Sequence, residues 1–316
     1  MTSKTICSLE PLSDEAKHTI SNSLNCEIEI IPRTFNTTIH TSEEILICRD
    51  RDNWENIFRI FPNLRLVFIV SVGVERLPFK ELIHKKVKVA NPKGLNAQIM
   101  SEYAIAGILA HSTRLIENLN NQKKHHWKKY QCVDSLQGKV LVIVGAGHAG
   151  NLLAVKAKAF DMHTIGVKKH LHPNENYDKI ISLTELNQIL PVADYVVCTI
   201  PLTSETQHLF GYEQFASMKP TAYFINISRG GVIIQKELVK ALVEKKISGA
   251  MLDVFEKEPL LPSDELWDIP NLQLTPHSSG RLENFIDKTV PYIIDNIKAF
   301  WLNKGLPNNV NLHDGY

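Results

Sequence analysis

The stretch VLVIVGAGHAGNLLAVKAKAF, Val140 to Phe160, decides the fold. Five apolar residues, Val140 to Val144, read as a buried strand. Glycines follow at Gly145, Gly147 and Gly150, and then comes a helical run. In a strand–turn–helix unit each glycine has its own reason. Gly145 permits the tight turn, Gly147 lets a pyrophosphate approach the backbone, and Gly150 lets helix and strand pack closely. His148 and Ala149 then belong to the first helical turn, whose N–H groups attract an anion. The spacing predicts a dinucleotide-binding unit. An ordinary glycine-rich turn is the alternative.

About twenty residues further on, such a unit usually supplies an acid to the adenosine ribose. Here the chain reads IGVKKHLHP, Ile165 to Pro173, with Lys168 and Lys169 in place of that acid. Ammonium groups favour a dianionic 2′-phosphate, and His170 adds a further donor. The expected cofactor is therefore NADP(H) in preference to NAD(H). A solvated basic turn would look the same in sequence.

Around this unit the chain alternates strands and helices. The first hundred residues give KTICSL, EIEIIPR, EILICR, RLVFIVSVGV and VKVAN. From Asn96 to Asn121 the pattern predicts one long helix with Met100, Tyr103, Ile105, Ile108 and Leu109 on its apolar face. Six strands follow: KVLVIVGAG, HTIGV, YVVCTIP, AYFINIS, GAMLDVF and NLQLTP. A last helix is expected from about Leu282 to Trp301. The expected fold is α/β, with two doubly wound, Rossmann-like or flavodoxin-like domains on parallel sheets and the active site in the cleft between them. Residues 1–97 and 283–316 are expected to form one domain, the substrate domain, and 98–282 the other, the NAD(P)-binding domain.

Composition narrows the class. The 316 residues are 44% apolar and 22% charged, with a formal net charge of +1. Nothing in that balance points to nucleic acid or an anionic membrane. The apolar runs are too short to span a bilayer, and the N-terminus lacks a secretory apolar region. The five cysteines are scattered without a CxxC pair. They read as free thiols of a cytoplasmic protein, with no metal site.

The remaining chemistry is carried by SVGVE (Ser71–Glu75), NISRGGVI (Asn226–Ile233), GAMLDVFEKEP (Gly249–Pro259) and TPHSSG (Thr275–Gly280). With VGAGHAG, NPKGLNAQIMSEYAIAGILA and IPLTSETQHLF, these motifs closely resemble the D-isomer-specific 2-hydroxyacid dehydrogenase family, from about Pro62 onward. The glyoxylate and hydroxypyruvate reductase branch is the most similar, through GAMLDVFEKEPL and LWDIPNLQLTPH. The resemblance implies NADPH-dependent reduction of a small 2-oxo acid to the D-2-hydroxy acid. It assigns the catalytic roles to Arg229, Glu258 and His277.

Elementary chemistry agrees with those residue types. A guanidinium fork can hold the carboxylate and ketone oxygens of a 2-oxo acid together. Histidine suits proton donation to the ketone oxygen near neutral pH. A carboxylate beside it favours the protonated ring and fixes its orientation. Glu256 competes with Glu258 for that place, and the family register favours Glu258.

Further implications of the resemblance are softer. Backbone N–H groups of Val72 and Gly73 would bind the substrate carboxylate. Arg49 and Arg51 stand where the substrate-specificity loop begins. Asp253 would hold the nicotinamide carboxamide, with Ser279 and Gly280 nearby. Pro201, Thr206 and Ile227 would line the cofactor. The family is usually homodimeric. Two rival readings stay open: a phosphoglycerate dehydrogenase-type enzyme, with Arg49 or Arg51 building a phosphate pocket, and a nucleotide-sensing corepressor-like binding protein. The basic run KKHHWKK, Lys123 to Lys129, reads as a solvated helix exit with one packing tryptophan, not as a nucleic-acid site.

Overall fold

The computed structural model describes residues 4–33, 42–129 and 131–316. The chain divides into two compact units, Met1–Leu95 with Leu282–Tyr316, and Asn96–Arg281.

The first unit runs β1 (Lys4–Ser8), α1 (Asp14–Leu24), β2 (Cys26–Ile30), β3 (Ile45–Cys48), α2 (Trp54–Ile60), β4 (Leu66–Ile69), α3 (Phe79–His84) and β5 (Lys88–Ala90). Its strands are parallel, in the order β2-β1-β3-β4-β5. Period-2 alternation splits the strand residues between the two faces of this sheet. Ile6, Ile47, Leu66 and Phe68 join one buried cluster. Cys7, Leu46, Cys48, Val67 and Ile69 join the other, with Trp54 and Ile57 of α2.

The second unit opens with α4 (Ala97–Ser112) and α5 (Leu115–Lys123). It continues through β6 (Val140–Val144), α6 (His148–Lys158), β7 (His163–Val167), β8 (Lys179–Ile181), α7 (Leu186–Ile189) and β9 (Tyr195–Cys198). Then come α8 (Tyr212–Ser217), β10 (Tyr223–Asn226), α9 (Gln235–Val243), β11 (Gly249–Leu252) and β12 (Leu272–Leu274). The chain returns to the first unit in α10 (Phe285–Trp301), whose Val290, Ile293 and Ile297 join the cluster of Ile6 and Phe68. The second sheet is parallel too, in the order β12-β11-β10-β9-β6-β7-β8. The order reverses at β6, between β7 and β9. That switch point is the favoured ligand position of an open parallel sheet.

Two expectations are corrected. The helix expected from Asn96 to Asn121 is broken at Arg114, which has φ 53°. Just before it, the Thr113 hydroxyl donates to the Leu109 carbonyl at 2.6 Å, competing with the helical ladder. The apolar positions beyond the break, Leu115, Ile116 and Leu119, are exposed, so their period did not report burial. The second sheet also has a seventh strand, β8. It is three residues long at the sheet edge, too short for a readable period.

Candidate active site

His277 follows β12 and has φ 51°. A non-glycine residue adopts this left-handed conformation at a cost of about 1 kcal/mol or more. The loop around it repays that cost in hydrogen bonds. The His277 N–H lies 2.8 Å from the Asp253 carbonyl and 3.0 Å from that of Thr275. The Asp253 carboxylate is fully buried. Its Oδ1 accepts the Thr275 hydroxyl at 2.7 Å and the Ser278 N–H at 2.9 Å, and its Oδ2 accepts the Ser279 N–H at 2.9 Å. Asp253 is therefore the hub of the TPHSSG loop.

The imidazole Nδ1 lies 2.8 Å from Glu258 Oε2. Glu258 Oε1 accepts the Phe255 N–H at 3.0 Å, which ties the carboxylate to its own loop. With Nδ1 committed, Nε2 has no partner among the described residues, and 44% of the side chain is exposed. Glu256 faces elsewhere: its Oε1 accepts the Gln235 N–H at 2.9 Å, at the start of α9.

Arg229 stands at the end of β10 and is half-buried. The fully buried Asn226 positions it by donating to the Arg229 carbonyl at 3.0 Å. Asn226 Oδ1 also accepts the Ser228 hydroxyl at 2.7 Å. Gly230 explains the next residue. A Cβ there would lie 1.9 Å from the Phe255 carbonyl carbon. The arginine loop and the loop carrying Glu258 thus pack backbone against backbone.

The glycine loop fits a dinucleotide at all three glycines. Gly145 has φ 113°, and a Cβ would lie 2.6 Å from the Ile200 nitrogen. At Gly150 it would lie 2.3 Å from the Gly145 carbonyl oxygen. At Gly147 a Cβ would meet nothing within 4 Å. That glycine faces open space at the N-terminus of α6, with exposed His148 and half-buried Ala149 beside it. Such open space is what an approaching pyrophosphate needs.

Other expected positions are less simple. Lys168 is half-buried at the end of β7, whereas Lys169 Nζ lies 3.0 Å from Glu205 Oε1. Thr206 is buried, and its hydroxyl donates to the Pro201 carbonyl at 2.6 Å. It shapes the turn after β9. Ile227 is 1% exposed, a core residue. The Gly280 carbonyl accepts from Asn96 Nδ2 at 2.7 Å.

In the first unit, Arg49 makes a two-pronged ion pair with the buried Glu10 through Nε and Nη2. That guanidinium holds the sheet end together. Arg51 is exposed. The Val72–Gly73 turn is fixed by Ser71 Oγ, 3.0 Å from the Gly73 carbonyl, and by Asn91 Nδ2, 2.6 Å from the Val72 carbonyl. Among the described residues, neither the Val72 nor the Gly73 N–H has an acceptor. Trp127, expected to pack, is instead 90% exposed.

Sequence reasoning missed Asn226, Ser228, Thr199 and Glu205. Thr199 Oγ1 donates to the Gly145 carbonyl at 2.8 Å and braces the glycine turn. Thr199 and Glu205 act through partners 54 and 36 positions away, which the sheet brings close, whereas Asn226 and Ser228 act within the arginine turn itself.

Residues 105–279 match the family model for the D-isomer specific 2-hydroxyacid dehydrogenase, NAD binding domain. A glyoxylate reductase of Korarchaeum cryptofilum is 32% identical over 260 residues, covering 81% of this chain and 78% of that protein. A glyoxylate/hydroxypyruvate reductase B of Escherichia fergusonii is 34% identical over 243 residues, 75% of each chain. The solved structure of an NADPH-dependent glyoxylate/hydroxypyruvate reductase from Sinorhizobium meliloti, in complex with NADP and sulfate, shares the fold. Its TM-score is 0.83 at 23% identity, with 100% of both chains covered. On the family model and these relatives, the chain belongs to the D-isomer-specific 2-hydroxyacid dehydrogenase family.

Proposed function

We propose that the chain is an NADPH-preferring reductase of small 2-oxo acids, with glyoxylate and hydroxypyruvate as substrates. The observation that carries this reading is the His277–Glu258 pair, with Nδ1 held at 2.8 Å and Nε2 unengaged. Bound reduced nicotinamide supplies the hydride. Everything else falls to the chain. Glu258 holds the imidazole in one orientation through Nδ1. His277 Nε2 then donates a proton to the ketone oxygen as negative charge builds there. Arg229 holds the substrate carboxylate and ketone oxygen with its planar fork. The glycine loop would take the pyrophosphate, and Lys168 would hold the 2′-phosphate. Support for the cofactor comes from the two lysines in place of the usual acid, and from the NADP held by the Sinorhizobium meliloti relative.

A panel of 2-oxo acids assayed with NADPH and NADH tests this reading. Turnover of glyoxylate and hydroxypyruvate, faster with NADPH, is the expected result. No turnover of any 2-oxo acid would sink it. We also infer a homodimer, supported by the exposed Leu115, Leu119 and Trp127 on and after α5. Light scattering of the purified chain would give twice its 35.8 kDa mass.

A further inference from the structure

The acid missing from the end of β7 returns from another loop. Glu205 lies in the turn after β9, and its Oε1 is 3.0 Å from Lys169 Nζ. In the sheet, β7 and β9 flank β6 on either side. The two loops therefore border the same switch point, next to the glycine turn. The Glu205 turn is held in shape. Thr206 Oγ1 accepts the Thr203 N–H at 2.8 Å, and the Glu205 N–H donates to Thr203 Oγ1 at 3.3 Å. The pair itself is loose, because 39% of the Lys169 side chain and 56% of the Glu205 side chain are exposed. An ion pair this exposed is weak and readily exchanged. Lys168 has no ion-pair partner among the described residues.

We propose that Glu205 is a cofactor-selectivity residue. Its carboxylate accepts the adenosine ribose hydroxyl of NAD(H), the task of the missing acid. It also competes with the 2′-phosphate of NADP(H) for Lys169 and repels that phosphate. The inference rests on Lys168 and Lys169 as the phosphate contact. Its consequence is a modest preference for NADPH, with NADH still accepted.

Calorimetric titration of the full chain with NADPH and with NADH tests it without turnover. Wild type, Glu205→Gln and Lys168→Ala are compared. Glu205→Gln is expected to bind NADPH about two- to fivefold more tightly, the scale of an exposed ion pair, and NADH less tightly. Lys168→Ala is expected to weaken NADPH binding and spare NADH. If Glu205→Gln leaves the ratio of the two dissociation constants unchanged while Lys168→Ala lowers the preference, the inference falls and the phosphate contact stands. If neither variant moves the ratio, both fall.

Discussion

His277 sits in a left-handed backbone conformation, and its loop has been built to keep it there. Asp253, Thr275, Ser278 and Ser279 converge on the turn, so the ring's direction is set before any ligand arrives. Such preorganisation costs nothing at the moment of reaction. His277→Asn keeps a small polar side chain but loses the acid. It is expected to lower the rate of reduction at least about a hundredfold, the lower range for a lost general acid. Calorimetric NADPH affinity should stay within about twofold, since the glycine loop is untouched. Glu258→Gln is expected to reduce turnover as well, and Glu256→Gln to leave it near wild type, because Glu256 is turned towards α9. Equal losses in the two glutamine variants, read from steady-state rates, would remove Glu258 from its place beside the imidazole.

At the scale of elements, the site depends on how closely loops meet. The Gly230 position leaves no room for a side-chain carbon, with the Phe255 carbonyl carbon 1.9 Å from where one would stand. Gly231 is different: a Cβ there meets only the flexible Leu202 side chain, at 3.1 Å. Gly230→Ala must push the 255–258 loop outward and move Glu258 with it. A displacement near 1 Å can cost about a hundredfold in rate. We therefore expect turnover to fall at least tenfold in Gly230→Ala and by less than about threefold in Gly231→Ala. Equal rates in the two variants would show that the close approach does not position the site.

The same scale governs acid stability. His111, near the end of α4, stacks on Tyr223 of β10 with ring centroids 4.0 Å apart, and its Nε2 lies 3.3 Å from Ser248 Oγ. Burial, with Arg114 adding to it and Asp134 opposing, pushes its pKa from 6.5 down to about 4. The unfolded chain therefore takes up this proton first as pH falls. The stability that goes with a neutral His111 is present above pH 6.5 and lost between about 6.5 and 4, by up to roughly 3 kcal/mol. His111→Phe should remove that part of the slope in urea unfolding measured across this range. An unchanged slope would assign it to other groups.

For the whole molecule, what sequence could disclose follows a physical line. The glycine loop was legible because backbone conformation and close approach demand glycine locally. The closeness of Glu258 and His277 was legible through the order of several motifs. The Arg49–Glu10 pair was not, because its partners are 39 positions apart. Nor was Lys169–Glu205, at 36 positions, since neither residue type is unusual on a surface. The exposure of Trp127 was likewise invisible, because apolar character alone does not say what covers it.

Arg49's commitment to Glu10 leaves Arg51 as the available cation of its loop, in the first unit, while Lys168 belongs to the second. If substrate choice and cofactor choice are separate tasks of the two units, they should change separately. Arg51→Ala is expected to lower kcat/KM for a 2-oxo acid with a second anionic group relative to glyoxylate, and to leave the NADPH/NADH ratio alone. Lys168→Asp exchanges attraction for repulsion towards one cofactor only. It should cut the NADPH/NADH ratio at least about tenfold, the scale of one charge-assisted contact, and keep the ranking of 2-oxo acids. In the double variant the two effects should add, as they do for sites without shared partners. Steady-state kinetics on all three variants, with both cofactors and both acids, reads this directly. A cofactor ratio altered by Arg51→Ala, or an acid ranking altered by Lys168→Asp, would show that the two choices are coupled and that neither unit makes its own.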